Sequence, residues 1–177
     1  MIQYIQGDLF DNVLVENETV FIPHVCNDEK LWRSGFVVPL SQHYPEAKKA
    51  YHLLNIPDEI NYNSFMVLGH TGYTSCSHAD YRTRNNIESI KSDKGIVVVA
   101  NMIAQQGVGF NNGIPPIRYE ALKKCMEDVK ITFRLQSQKS RICCPKFGSG
   151  LAGGEWNVIE NMILEIWKDI PVYVYFI

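Results

Sequence analysis

The stretch from Gly95 to Met102 reads Gly-Ile-Val-Val-Val-Ala-Asn-Met, apolar on both alternating faces except at Asn101. A strand of that kind is satisfied only inside a sheet that is covered on both sides. The rest of the chain supplies the covering layers. Strand patterns occur at Ile2 to Ile5, Thr19 to His24, Phe65 to Leu68, Arg141 to Pro145 and Val172 to Ile177. Between them run helical patterns. Ser34 to His43 and Glu46 to Leu54 are separated at Pro45, a residue suited to the first turn of the second helix. Pro115 and Pro116 open a long helix whose buried stripe is Tyr119, Leu122, Met126, Val129 and Phe133. A last helix, Glu155 to Trp167, presents Trp156, Ile159, Ile163 and Ile166 to the core. The alternation predicts an α/β fold with a parallel or mixed sheet and helices on both faces. His70 to Lys94 is polar and weakly patterned, and we expect an excursion within a single domain of residues 1–177.

Ligands of such folds bind beyond the carboxyl ends of the strands. That rule singles out the loops after His24, Met102 and Pro145. Composition narrows the partners. Apolar residues make up 46% and charged residues 20%, with a net charge of -2 and no lysine-arginine block, so a bulk nucleic-acid surface is not expected. The N-terminus lacks a signal-peptide pattern, and no apolar run approaches the roughly 20 residues of a membrane helix. Five cysteines at irregular spacings suggest a reducing, cytoplasmic setting rather than a disulfide framework.

After the strand at Arg141 to Pro145 comes Phe147-Gly148-Ser149-Gly150-Leu151-Ala152-Gly153-Gly154. Its G-x-G-x-x-G spacing tempts a dinucleotide reading, but that fingerprint opens a long βαβαβ array, and here one carboxylate-free strand remains. What survives is an anion cradle, since glycines bring backbone amides close to a phosphate at a helix start. Asp8 follows the first strand and fits either a helix cap or an acceptor for an exocyclic amine. His24, titrating near neutrality, would suit acid–base work, and Asn27 would hold a sugar hydroxyl; a hydrogen-bonded strand-end histidine is the bland alternative. Trp32-Arg33-Ser34-Gly35 leads into a helix whose amides can meet a second phosphate or a ribose. Cys76, His78 and Asp80 make a weak zinc set, with no second cluster, so no metal or cofactor is expected. Cys143 and Cys144 read as core.

Taken in order, these pieces resemble a macrodomain. The resemblance is carried by Tyr4 to Leu9, His24 to Asn27, Gly35 to Val37 through Tyr44 to Glu46, Val99 to Gln106, Pro116 to Leu122 and Gly148 to Trp156. It implies a three-layer α/β/α sandwich with a mixed central sheet, binding ADP-ribose or a derivative as a monomer. By resemblance, Asp8 and the Leu9 amide meet the adenine. Asn27 and Gln105 lie at the distal ribose. Gly35, Phe36 and Val37, together with Phe147, Gly148, Ser149, Gly150, Leu151 and Ala152, wrap the diphosphate and that ribose. The glycohydrolase branch of the family uses a lysine nucleophile and an aspartate where this chain has Gln105 and Ala152. The phosphatase branch keeps a histidine at the position of His24. The resemblance therefore points to ADP-ribose-1''-phosphate phosphatase chemistry, with His24 and Asn27 as the catalytic pair. A hydrolase removing ADP-ribose from protein or nucleic acid and a non-catalytic reader remain as alternatives. Where Trp-Gly-x-Gly is usual, Arg33 takes the second place, adding a cation or blocking close backbone approach.

Overall fold

In the computed structural model, residues 1–13, 17–54, 68–77 and 95–177 are described. Their strands are β1 (Ile2–Gln6), β2 (Glu18–Asn27), β3 (Thr71–Ser77), β4 (Ile96–Gln105), β5 (Lys139–Pro145) and β6 (Val172–Phe176), and they form one sheet in the order β1-β6-β5-β2-β4-β3. Each neighbouring pair is parallel except β3 with β4, so the sheet is mixed. The helices are α1 (Val37–His43), α2 (Pro45–Leu53), α3 (Tyr119–Arg134) and α4 (Trp156–Ile166), with a 3₁₀ turn at Leu9–Asp11.

Strand periodicity sorts the core into two layers. Phe21, Val98, Ala100, Met102, Ile142, Cys144 and Val174 point to one face, where α3 and α4 cover them. Val20, Ile22, Val97, Val99, Ile103 and Cys143 point to the other face, under α1, α2 and the 3₁₀ turn. This is the expected three-layer α/β/α sandwich. Val97, Val99 and Val98 of β4 are buried from both sides, as the apolar run predicts. Cys143 and Cys144 are core, as read from the sequence.

Several boundaries moved. β2 continues through His24 to Asn27, and β4 through Met102 to Gln105, because the two strands stay paired in one register to Cys26 opposite Ile103 and, after a one-residue shift, at Asn27 opposite Gln105. His24 therefore sits inside a strand rather than at its last position. Ser34 to Phe36 precede α1 as loop, with Gly35 at φ +77°. The start of the polar excursion is a strand, β3. The remainder of that excursion, the strand read at Phe65 to Leu68 before its last residue, and His78 and Asp80 of the weak zinc set lie outside the described residues. Among the described residues, no helix is long and apolar enough to cross a membrane.

Candidate functional site

The carboxyl ends of β2, β4 and β5 open onto a cleft of about 460 Å³. Its floor is His24 to Asn27 of β2 with Gln105 of β4. One wall is the Leu31 to Val37 loop and the other is Pro145 to Gly148 with Gly150 to Ala152; Val108 and Gly109 close the end. Leu151 reaches across to lie 3.4 Å from where a Cβ on Gly35 would stand, so the two walls nearly touch above the floor.

The glycine turn is folded by two short bonds, from the Gly153 amide to the Gly150 carbonyl (2.9 Å) and from the Gly154 amide to the Gly148 carbonyl (2.8 Å). Gly148 and Gly153 take φ near +74° and +72°, which glycine adopts without strain. The amides of Gly148, Ser149, Gly150, Leu151 and Ala152 meet no protein acceptor among the described residues. Backbone N–H groups this close together form an anion-binding nest. The turn read from the sequence as an anion cradle thus carries amides without a protein acceptor among the described residues.

The floor is built differently. His24 is buried, and its Nε2–H donates to Asn101 Oδ1 at 2.6 Å; Asn101 Nδ2 in turn donates to the Ala47 carbonyl at 3.2 Å, which fixes the direction of its oxygen. Trp32 and Phe36 pack their rings against the imidazole. Burial lowers its pKa to about 4, outweighing the Asn101 hydrogen bond. The expectation of a histidine titrating near neutrality is corrected: the ring is neutral at pH 7 because its charged form would be desolvated. Cys26 lies 3.8 Å from the imidazole nitrogens, and burial raises its thiol pKa well above the usual value, so no thiolate–imidazolium pair forms.

Asn27 staples the loop that follows it. Its Oδ1 accepts from the amides of Glu29 and Leu31, both at 3.0 Å, and its Nδ2 donates to the Leu31 carbonyl at 2.6 Å. The Tyr51 hydroxyl donates to the Asn27 main-chain carbonyl at 2.7 Å. Asp28 ties the neighbouring loop down by accepting from the Gly107 amide at 2.7 Å.

Of the residues anticipated from sequence, the fold gathers His24, Asn27, Gly35, Phe36, Val37, Gln105, Phe147, Gly148, Gly150, Leu151 and Ala152 around this cleft. Asp8, Leu9 and Ser149 are not among its lining. Asp8 caps the 3₁₀ turn, accepting from the Phe10 amide at 2.9 Å, the cap role weighed at the outset. Leu9 is buried in the core, and the Ser149 hydroxyl donates to the Lys146 carbonyl at 2.8 Å. Sequence reasoning missed Lys146, Val108 and Gly109 as lining. It also missed Asn101 as the partner of His24, though their opposed register on β2 and β4 was the signal.

No protein-family model matches the chain. A solved structure of a Bacteroides thetaiotaomicron protein of unknown function is similar at 30% identity, with a TM-score of 0.73 over 99% of this chain and 97% of that one. A Streptomyces coelicolor macrodomain protein is similar at 28% identity, with a TM-score of 0.68 over 100% and 99%. Thermosipho africanus DarTG, solved in complex with ADP-ribose, shares the fold at 12% identity and a TM-score of 0.65, over 98% of this chain and 41% of that one. Among curated proteins, a Candida albicans ADP-ribose 1''-phosphate phosphatase is 33% identical over 51 residues, which is 29% of this chain and a third of that protein's length. With the mixed six-stranded sheet and a full-length match to a macrodomain protein in agreement, the chain has the macrodomain fold.

Proposed function

We propose that the cleft binds ADP-ribose derivatives and that the protein is a hydrolase acting at the distal ribose, releasing phosphate from ADP-ribose-1''-phosphate. The observation that carries the binding half is the run of amides from Gly148 to Ala152, without protein acceptors among the described residues, on a turn that lines a cleft of suitable size. The DarTG complex with ADP-ribose supports the ligand class, and the name of the Candida albicans relative supports the reaction.

In this reading the diphosphate lies along the glycine turn, and Gln105 and Asn27 flank the distal ribose. Asp8 keeps its second carboxylate oxygen for the adenine amine, beside the Leu9 amide. A water attacks phosphorus, the bond to the ribose oxygen breaks, and that oxygen takes up the proton that the attacking water gives to His24. His24 accepts the proton of the attacking water. Its neutral ring is a weak base in the empty cleft, but a bound phosphate dianion stabilises the imidazolium and raises its basicity. Gln105 and Ala152 supply neither a lysine nucleophile nor an aspartate, so the chemistry runs through water. Phosphate release by His24→Ala is the test. An unchanged rate removes the role given to His24.

A second reading, binding without turnover, is favoured by the low basicity of His24 and by the involvement of the Asn27 side chain in its own loop. Binding of ADP-ribose with no product from any derivative would select it.

A further inference from the structure

Lys146 stands between the last residue of β5 and the glycine turn, and it lines the ligand cleft. Its side chain is exposed, yet it does not extend freely into solvent. Its ammonium lies 5.8 Å from the centroid of the Tyr4 ring, 6.0 Å from Trp156 and 5.7 Å from Phe176. Those rings come from β1, α4 and β6, so three separate elements converge on one cation. The box is braced. The Trp156 indole N–H donates to the Tyr4 hydroxyl at 2.9 Å, and that hydroxyl donates to the Glu160 carboxylate. The Lys146 carbonyl is held as well, by the Ser149 hydroxyl.

Aromatic faces hold an ammonium by the field of their π-electrons. Unlike a carboxylate partner, they do not neutralise the charge. Among the described residues no ion pair to Lys146 occurs. A surface lysine ordinarily loses much rotamer freedom when it meets a ligand, and here that freedom is restricted beforehand. The result is a placed, unneutralised cation at the near end of a turn whose amides receive an anion. Arg33, the other cation lining the cleft, stands on the opposite wall, and among the described residues no aromatic ring holds it in this way.

We propose that Lys146, fixed by Tyr4, Trp156 and Phe176, is a preorganised cation that binds the phosphates of the ligand and sets the preference for charged over uncharged nucleosides. The proposal rests on the ADP-ribose reading of the cleft. Lys146→Met keeps the stem and removes the charge; Lys146→Arg restores it. Calorimetry with ADP-ribose and with adenosine, at low and high salt, reads the effect. At low salt Lys146→Met weakens ADP-ribose binding about five- to tenfold, and the deficit shrinks as salt screens the wild-type contact. Adenosine binding stays unchanged, the melting temperature stays within error, and Lys146→Arg recovers most of the affinity. Trp156→Leu, with the lysine intact but its box opened, loses part of the same affinity. Wild-type affinity and salt dependence in Lys146→Met would overturn the proposal, as would an equal loss for adenosine, which would mean that the side chain only shapes the wall. Failure of the wild-type protein to bind ADP-ribose would instead remove the underlying reading, and the role of Lys146 with it.

Discussion

The floor and the glycine wall of the cleft solve opposite problems. On the floor, the polar groups of His24, Asn27 and Asn101 are buried and bonded to one another or to the backbone of the loop after Asn27 and of α2. On the wall, backbone amides from Gly148 to Ala152 have no protein acceptor among the described residues. The floor is fixed by its own hydrogen bonds, and a ligand adds little to them. The wall has bonds to give. We read the wall as the seat of affinity and the floor as the part that fixes where the distal ribose and any attacking water stand.

The wall should break most sharply where backbone meets backbone. A Cβ on Gly154 would lie 2.5 Å from the Gly148 carbonyl oxygen, an atom that cannot swing away. Gly154→Ala is expected to cost about 3–4 kcal/mol of stability and to abolish ADP-ribose binding, read by urea denaturation and calorimetry. Survival of both would show that the turn is more plastic than its geometry states.

The floor breaks by acid. The folded pKa of His24, about 4, lies below the usual 6.5, so between those values the unfolded chain binds a proton that the folded chain does not. Its contribution is complete above pH 6.5 and is lost as pH falls toward 4, amounting to about 3 kcal/mol. Denaturation curves across this window should show the loss, and His24→Gln should flatten it. An unchanged acid slope in that variant would mean that other groups dominate.

A smaller effect separates the loop role of Asn27 from ligand contact. Asn27→Ala removes the bonds to Glu29 and Leu31 and should cost about 2 kcal/mol of stability even without ligand. If stability holds while affinity falls, Asn27 acts on the ligand and its staple is incidental. Smallest is Asp8→Ala, which deletes the cap on the 3₁₀ turn and should cost about 1 kcal/mol in thermal melts. A fall in ADP-ribose affinity beyond that would support the adenine contact.

The same contrast explains what the sequence shows. The glycine wall is local, a run of consecutive residues after a plain strand, so spacing alone exposes it. The apolar β4 and the stripes of α3 and α4 are equally local. The floor is not: His24 meets Asn101 through a parallel register between distant strands, and a lone polar residue in an apolar run does not by itself name its partner. Lys146 is harder still, since its ring box draws on β1, α4 and β6. β3 escaped because it is an edge strand of small and polar residues, where Gly72 leaves room for the Leu54 side chain at a Cβ distance of 2.6 Å. Sequence patterning records burial on two faces well. It records one-sided edges and long-range pairings poorly.

The central claim is that the unpartnered amides of the glycine wall receive the diphosphate of an ADP-ribose ligand. Isothermal titration of the wild-type protein with ADP-ribose tests it most directly. We expect saturable one-to-one binding in the micromolar range, with free diphosphate competing weakly for the same site. No heat of binding at millimolar ADP-ribose would contradict the claim.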